Sequence, residues 1–135
     1  EIRENIINKN VSNVAKIKEV REEMVKLQRE MAKEKHIIMD GRDIGSVVFP
    51  NADFKFFITA SVEERAKRRY KELKEKGEKN ITYEQILEEI RARDKIDSTR
   101  DVAPLRKSIG SFEIDTTDKS INQCVNEAIN IIEGR

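Results

Sequence analysis

Short β-type runs alternate along this chain with longer stretches of helical period, and that alternation leaves few ways to fold. Phe54-Lys55-Phe56-Phe57-Ile58-Thr59 is aromatic and β-branched and follows the Pro50-Asn51 turn, so it reads as a strand. Ser111-Phe112-Glu113-Ile114-Asp115 reads as a second, and the apolar run His36-Ile37-Ile38-Met39 as a third. Strands interleaved with helices predict an α/β layered fold with a mostly parallel sheet.

The helices announce themselves by their ends. Ser61 with Glu64 predicts a capping box, and Gly77 stops that helix after about Lys76. Thr82 with Gln85 opens another, with an apolar stripe of Tyr83, Ile86, Leu87 and Ile90; Ala103-Pro104-Leu105 closes any helical run there. Ser120 with Gln123 caps a last helix bearing Ile121, Cys124, Val125, Ala128, Ile129 and Ile132. Near the start, Val14, Ile17, Val20, Met24, Leu27 and Met31 recur in steps of three and four, which predicts one long amphipathic helix over residues 11–34. Three strands are thin for a doubly wound sheet with four helices, and the chain opens on Glu1 rather than Met. Both features read as a piece of a longer protein.

Composition narrows the function classes. The 135 residues are a one-domain length and carry a formal net charge of +1, which argues against wholesale attraction to nucleic acid or membrane. The charged fraction of 39% is evenly signed and belongs to solvated helix faces. One cysteine, Cys124, excludes a disulfide framework, and one histidine with one cysteine cannot build a zinc site. No apolar run approaches membrane-spanning length and no signal peptide is visible, so a reducing, cytoplasmic setting is expected. No G-x-x-x-x-G-K-[ST] phosphate loop occurs among these residues.

Chemistry concentrates in three clusters. The run from His36 ends in Asp40-Gly41-Arg42-Asp43, a glycine turn carrying one cation and two carboxylates at a predicted strand's C-terminal edge, where open α/β sheets bind ligands. Turn chemistry with a chance ion pair accounts for the motif about equally well. From Ser61 to Asn80, eight Lys/Arg stand against five Asp/Glu, and Arg65, Arg68 and Arg69 fall at helical spacings suited to gripping phosphate. On charge alone an ordinary solvated helix is the plainer reading. In Arg91–Arg100, Arg93, Asp97 and Arg100 share one stripe if the helix continues: two forks for phosphate and a carboxylate for a ribose diol, or a structural ladder of ion pairs.

In this order and spacing, Asp40-Gly41-Arg42-Asp43-Ile44-Gly45-Ser46-Val47-Val48-Phe49-Pro50, Ser61-Val62-Glu63-Glu64-Arg65-Ala66-Lys67-Arg68-Arg69, Arg91-Ala92-Arg93-Asp94 and Val102-Ala103-Pro104-Leu105 resemble the C-terminal part of a bacterial cytidylate kinase. The resemblance runs from Glu1-Ile2-Arg3 to the last helix. It implies a P-loop-kinase-like parallel sheet with flanking helices, incomplete because the family's N-terminal P-loop strand has no counterpart here. Residues 1–135 are then a single partial nucleotide-kinase domain with a lid-like helical segment over about 61–100. The implied activity of the intact enzyme is transfer of the γ-phosphoryl group of ATP to CMP or dCMP. Mg2+ would accompany the ATP, with no cofactor held by this chain alone.

The resemblance also implies roles. Ser12, Arg21 and Asp43 match residues that read the cytosine ring. Arg42 and Arg100 match ligands of the acceptor phosphate, and Arg93 and Asp97 match residues that hold the sugar. Arg65, Arg68 and Arg69 lie on the implied lid and stabilise the phosphates. Lys95, Ile96, Ser98 and Thr99 depart from a stretch richer in charge in the family. The expected partners are CMP or dCMP and ATP, without nucleic acid or membrane. The intact enzyme is expected to be a monomer, and the chain by itself to be inactive and to dimerise through an uncovered sheet edge. A non-catalytic nucleotide- or protein-binding module and a purely structural α/β domain remain as alternatives.

Overall fold

The computed structural model describes residues 5–15, 17–33, 35–99, 101 and 103–134, without the side chains of residues 5, 6, 8, 9 and 12. They fall into two compact units, Glu1–Asp53 with Lys95–Ile109 and Phe54–Asp94 with Gly110–Arg135.

The first unit holds helices α1 (Asn5–Ala15) and α2 (Lys18–Ala32) and a five-residue π-helical turn, Ile44–Val48. The single long helix expected over 11–34 is therefore two. Ile17 leaves helical geometry at φ −72° and ψ 120°, and the Arg21 guanidinium donates to the Ala15 carbonyl at 3.0 Å. That bond satisfies a carbonyl at the end of α1 that an unbroken helix would have satisfied itself. The apolar stripe is present but faces outward: Val14, Ile17, Val20, Met24, Leu27 and Met31 are all exposed, while Arg21, Val25, Gln28 and Ala32 are half-buried. Residues 36–39 carry no regular structure and Ile38 is fully exposed, so the expected strand there is not formed. An apolar run makes a strand only with a ladder partner, and among the described residues none is assigned to it.

The second unit holds β1 (Phe56–Thr59), α3 (Val62–Glu75), β2 (Phe112–Asp115), α5 (Ile121–Glu133) and most of α4 (Tyr83–Thr99). The two strands pair in parallel, Phe56 opposite Phe112 through Thr59 opposite Asp115. The main-chain N–H groups of Phe112 and Thr116 extend the ladder to the Lys55 and Thr59 carbonyls, each at 2.8 Å. The Phe56 and Phe112 rings lie 6.1 Å apart at a tilt of 38°. Parallel strands need a long crossover, and here it carries α3 and α4. Ala66 and Leu73 on α3 bury against Ile86 on α4, with Tyr70, Ile81, Tyr83, Leu87 and Ile90 packed around them.

Helix ends follow the sequence closely, with one difference. Ser120 and Gln123 form a complete capping box, and Thr82 and Gln85 exchange main-chain and side-chain bonds at 3.0 and 3.2 Å. At Ser61 only half the expected box forms. The Ser61 hydroxyl accepts from the Glu64 N–H, but the Ser61 N–H donates to Thr117 Oγ1 at 3.0 Å, and the Glu64 carboxylate accepts from Arg68 instead. Gly77 takes φ +85°, the left-handed turn that a β-carbon resists.

Truncating Ile86 at the centre of the helical core should separate shape from hydrophobicity. Ile86→Ala should cost about 2–5 kcal/mol of unfolding free energy and Ile86→Val only about 0.5–1.5 kcal/mol. Urea melts followed by circular dichroism measure both, and equal small losses would place the core elsewhere.

Candidate functional site

The Asp40-Gly41-Arg42-Asp43 turn leads straight into the π-helical turn, and two ion pairs pin it. Gly41 is required by close approach: a β-carbon there would stand 2.9 Å from Ile44 Cγ1. Arg21, reaching from α2, donates to Asp43 Oδ2, and both side chains are nearly buried. Arg42 Nε donates to Asp97 Oδ2 at 3.1 Å. This second pair is lopsided, since the Arg42 side chain is 44% exposed and that of Asp97 only 2%. The Asp97 carbonyl accepts the Leu105 N–H at 2.7 Å across a turn in which Ala103 takes φ +51°. An alanine in that region is strained and needs surrounding structure to hold it.

The π-helical turn is built on two acceptors, and the Ile44 carbonyl takes the Phe49 N–H at 2.7 Å. The Asp43 carbonyl receives the N–H groups of Val47 at 2.8 Å and of Ser46 and Val48 at 3.3 Å. Asp43 thus serves the site through its side chain and the fold through its main chain. The first unit brings Arg21, Arg42, Asp43 and Asp97 into two coupled pairs on one loop. Two positions of the expected set are not placed: Arg100 and the side chain of Ser12 lie outside the described residues. Arg93 sits half-buried on the α4 stretch that belongs to the second unit.

In the second unit, each α3 arginine already has acceptors. Arg65 forks onto Asp94 at 3.0 and 2.7 Å and donates from Nε to the Ala60 carbonyl at 3.1 Å. Arg68 donates to Glu64 at 2.8 Å, to Thr116 Oγ1 at 3.1 Å and to the Thr116 carbonyl at 2.5 Å. Thr116 is buried just past β2, and its hydroxyl donates onward to the Thr59 carbonyl at 3.0 Å. Arg69 and Lys76 converge on Glu72 at 2.7 and 2.5 Å. The Lys76 hydrogen bond, and after it that of Arg69, lowers the Glu72 carboxyl from 4.5 to about 2.

The sequence reading missed Asp94 and Thr116 as partners of these arginines, and Arg29 altogether. Asp94 stands inside a quoted motif, and the i+29 distance to Arg65 left nothing local to reveal the pair. Among the described residues no cluster of three or more His, Cys, Asp or Glu could hold a metal ion, and no helix is long and apolar enough to cross a membrane.

The chain is similar to known proteins over nearly its whole length. The family model described as cytidylate kinase matches residues 1–134. A cytidylate kinase of Clostridioides difficile (strain 630) is 54% identical over 132 residues, covering 98% of this chain and 61% of that protein. One from Caldanaerobacter subterraneus subsp. tengcongensis is 55% identical over 125 residues, covering 93% and 55%. One from Bacillus velezensis is 51% identical over 133 residues, covering 98% and 59%. The chain thus spans between 55% and 61% of the length of these curated relatives.

Glu72 generates a pH prediction. Its carboxyl is held at about 2 in the folded chain against an ordinary 4.5, so its stabilisation is complete above pH 4.5 and is lost as pH falls toward 2. The side chain is 45% exposed, and solvent screening limits the effect to roughly 0.2–1 kcal/mol. Glu72→Gln should reduce stability at pH 7 by that amount and leave it unchanged near pH 2. Thermal melts of both proteins across this range check the sign, and a loss that grows toward low pH would refute the assignment.

Proposed function

The chain belongs to the cytidylate kinase family, and from that premise we propose that its full-length protein transfers the γ-phosphoryl group of ATP to CMP or dCMP. The observation that carries the reading is the pairing of Arg21 with Asp43 and of Arg42 with Asp97 on one glycine-turn loop. A forked cation and an oriented carboxylate on adjacent residues suit a nucleoside monophosphate, whose phosphate wants a cation and whose base edge wants a directional acceptor.

Asp43, Arg21 and Ser12 read the base. Arg21 engages Asp43 Oδ2, and we assign Oδ1 to the cytosine N4 amino group, a hydrogen-bond donor. Arg42 and Arg100 take the acceptor phosphate, while Arg93 and Asp97 hold the sugar. The buried Asp97 keeps Arg42 oriented through Nε, which leaves its outer nitrogens facing the phosphate. Arg65, Arg68 and Arg69 belong to a lid over about residues 61–100 and stabilise the charge that spreads over the transferring phosphoryl group. The whole chain is then one partial nucleotide-kinase domain in a cytoplasmic enzyme.

Mg2+ enters with ATP. That ion is ordinarily held by substrate phosphates, water and one or two carboxylates rather than by an all-protein cage. When bound it neutralises charge on the β- and γ-phosphates. This chain contributes arginines around the acceptor and lid positions. The phosphate-cradling backbone and lysine of a P-loop are not among its motifs.

The purified chain by itself should therefore show no CMP-dependent ADP release from ATP and Mg2+ in a coupled assay. With Ile58 of β1 and Ile121, Val125, Ile129 and Ile132 of α5 exposed, its mass by light scattering should rise with concentration. Turnover near that of an intact kinase, or a strictly monomeric chain, would count against these two expectations respectively.

Base selectivity is the sharper test. Uracil replaces the N4 donor with an O4 acceptor, and opposing it with a carboxylate leaves a buried polar group unsatisfied at about 1–3 kcal/mol. In the full-length enzyme, Asp43→Ala should lower kcat/KM for CMP far more than for UMP and narrow their ratio by about ten- to hundredfold. Arg42→Ala should lower both alike, because a phosphate contact is blind to the base. Steady-state kinetics with the two nucleotides decide it; an unchanged ratio in Asp43→Ala would make Asp43 a turn residue only.

A further inference from the structure

Helix α2 grips the Asp43–Val48 turn at two points, through Arg21 and through Arg29. Arg29, two turns beyond Arg21 on the same helix, donates from Nε to the Val48 carbonyl at 2.9 Å and from an outer nitrogen to the Val47 carbonyl at 2.8 Å. These are carbonyls at the C-terminal end of a helical turn, where no following turn supplies donors. The chain leaves helical geometry at Phe49, with φ −128° and ψ 69°, and Pro50 has no N–H to offer. Arg29 supplies the two donors that a continuing helix would have supplied, in the fixed parallel geometry of a guanidinium fork.

The other end of the same turn is Asp43. Its carbonyl is the shared acceptor for Ser46, Val47 and Val48, which ties the orientation of the Asp43 peptide to the placement of Val47 and Val48, while the Phe49 N–H holds the Ile44 carbonyl at 2.7 Å. Val48 is the turn's buried anchor at 2% exposure, and Arg29 holds its carbonyl directly. Releasing those carbonyls frees the wide turn to relax toward a tighter one, and any such change rotates Asp43 against Arg21.

We propose that Arg29 is a positioning residue for base selectivity: by clamping the Val47 and Val48 carbonyls it sets the angle at which the Asp43 carboxylate meets the nucleotide base. This rests on the base-reading role of Asp43. Arg29 acts through main-chain carbonyls, and its side chain lies at an exposed position on α2.

The experiment compares Arg29→Ala, Arg29→Lys and Asp43→Ala in the full-length enzyme, with kcat and KM measured for CMP and UMP. Amide hydrogen exchange at Val47, Val48 and Phe49 is followed in the same proteins. Arg29→Ala should raise KM for CMP and narrow the CMP-to-UMP ratio of kcat/KM by about tenfold, as expected for a misplaced recognition group. Exchange at the three amides should accelerate while the Tm stays close to that of the parent. Arg29→Lys, with one ammonium in place of a fork, should recover part of the ratio. If Asp43→Ala narrows the ratio and neither Arg29 variant does, the positioning role is overturned and base reading by Asp43 stands. If Asp43→Ala leaves the ratio unchanged, base reading fails and the inference falls with it. An equal loss on both nucleotides in Arg29→Ala, with the ratio intact, assigns Arg29 a structural role only and also overturns the proposal.

Discussion

A carboxylate buried as deeply as that of Asp97 has to be paired, and the loop around Arg42 is arranged so that it is. Desolvating an ionised carboxyl costs several kcal/mol, which only a well-placed cation and further hydrogen bonds offset. Arg42 meets that requirement with Nε, the least mobile donor of its fork, while its side chain as a whole stays 44% exposed. The demand of a buried group thus fixes the direction of an exposed one. Arg42 and Asp43 are neighbours in sequence and are held from different helices, α4 and α2. The peptide between them has little freedom left, and the π-helical turn that follows inherits its starting direction.

Arginine in the second unit follows a different rule. Arg65, Arg68 and Arg69 each rest on a carboxylate, and two of them also reach main-chain carbonyls. A solvated basic helix with i,i+3 and i,i+4 pairs would show Arg68 on Glu64 and Arg69 on Glu72, and it does. It would not show a fork from Arg65 onto Asp94 or the seating of Arg68 on buried Thr116. Those longer-range bonds tie the start of α3 to α4 and to the end of β2. In the phosphate-gripping role proposed for them, these arginines exchange one anion for another rather than acquire a partner from water.

What was legible in the sequence was local. Helix caps at Ser120 and Thr82, the glycine stop at Gly77 and the stripe at Ile86 are each decided within four residues, and each is where the sequence placed it. Parallel pairing of the two strands followed from the helices between them. The run at 36–39 misled because its apolar character is real but a strand is a property of two segments. The break at Ile17 has no glycine or proline to mark it. What accompanies it is a side chain six residues from the carbonyl it satisfies. The family motifs identified the loop that carries Arg42 and Asp43. They carried no trace of Arg29, because its acceptors are main-chain carbonyls 18 and 19 residues away that any residue type would present.

The tip between α3 and α4 folds back on itself through its main chain. Residues 74–80 are all exposed, the Gly77 and Glu78 N–H groups return to the Lys74 and Leu73 carbonyls at 3.0 and 3.1 Å, and the next core side chain inward is Leu73. Lengthening such a connection costs only about 0.6 kcal/mol for each doubling of the loop. Residues inserted between Glu78 and Lys79 would meet open solvent and leave both flanking helices their caps. The tip is therefore the point at which this chain can accept a reporter peptide, a protease site or a lineage-specific extension without disturbing the packing of Ala66, Leu73 and Ile86.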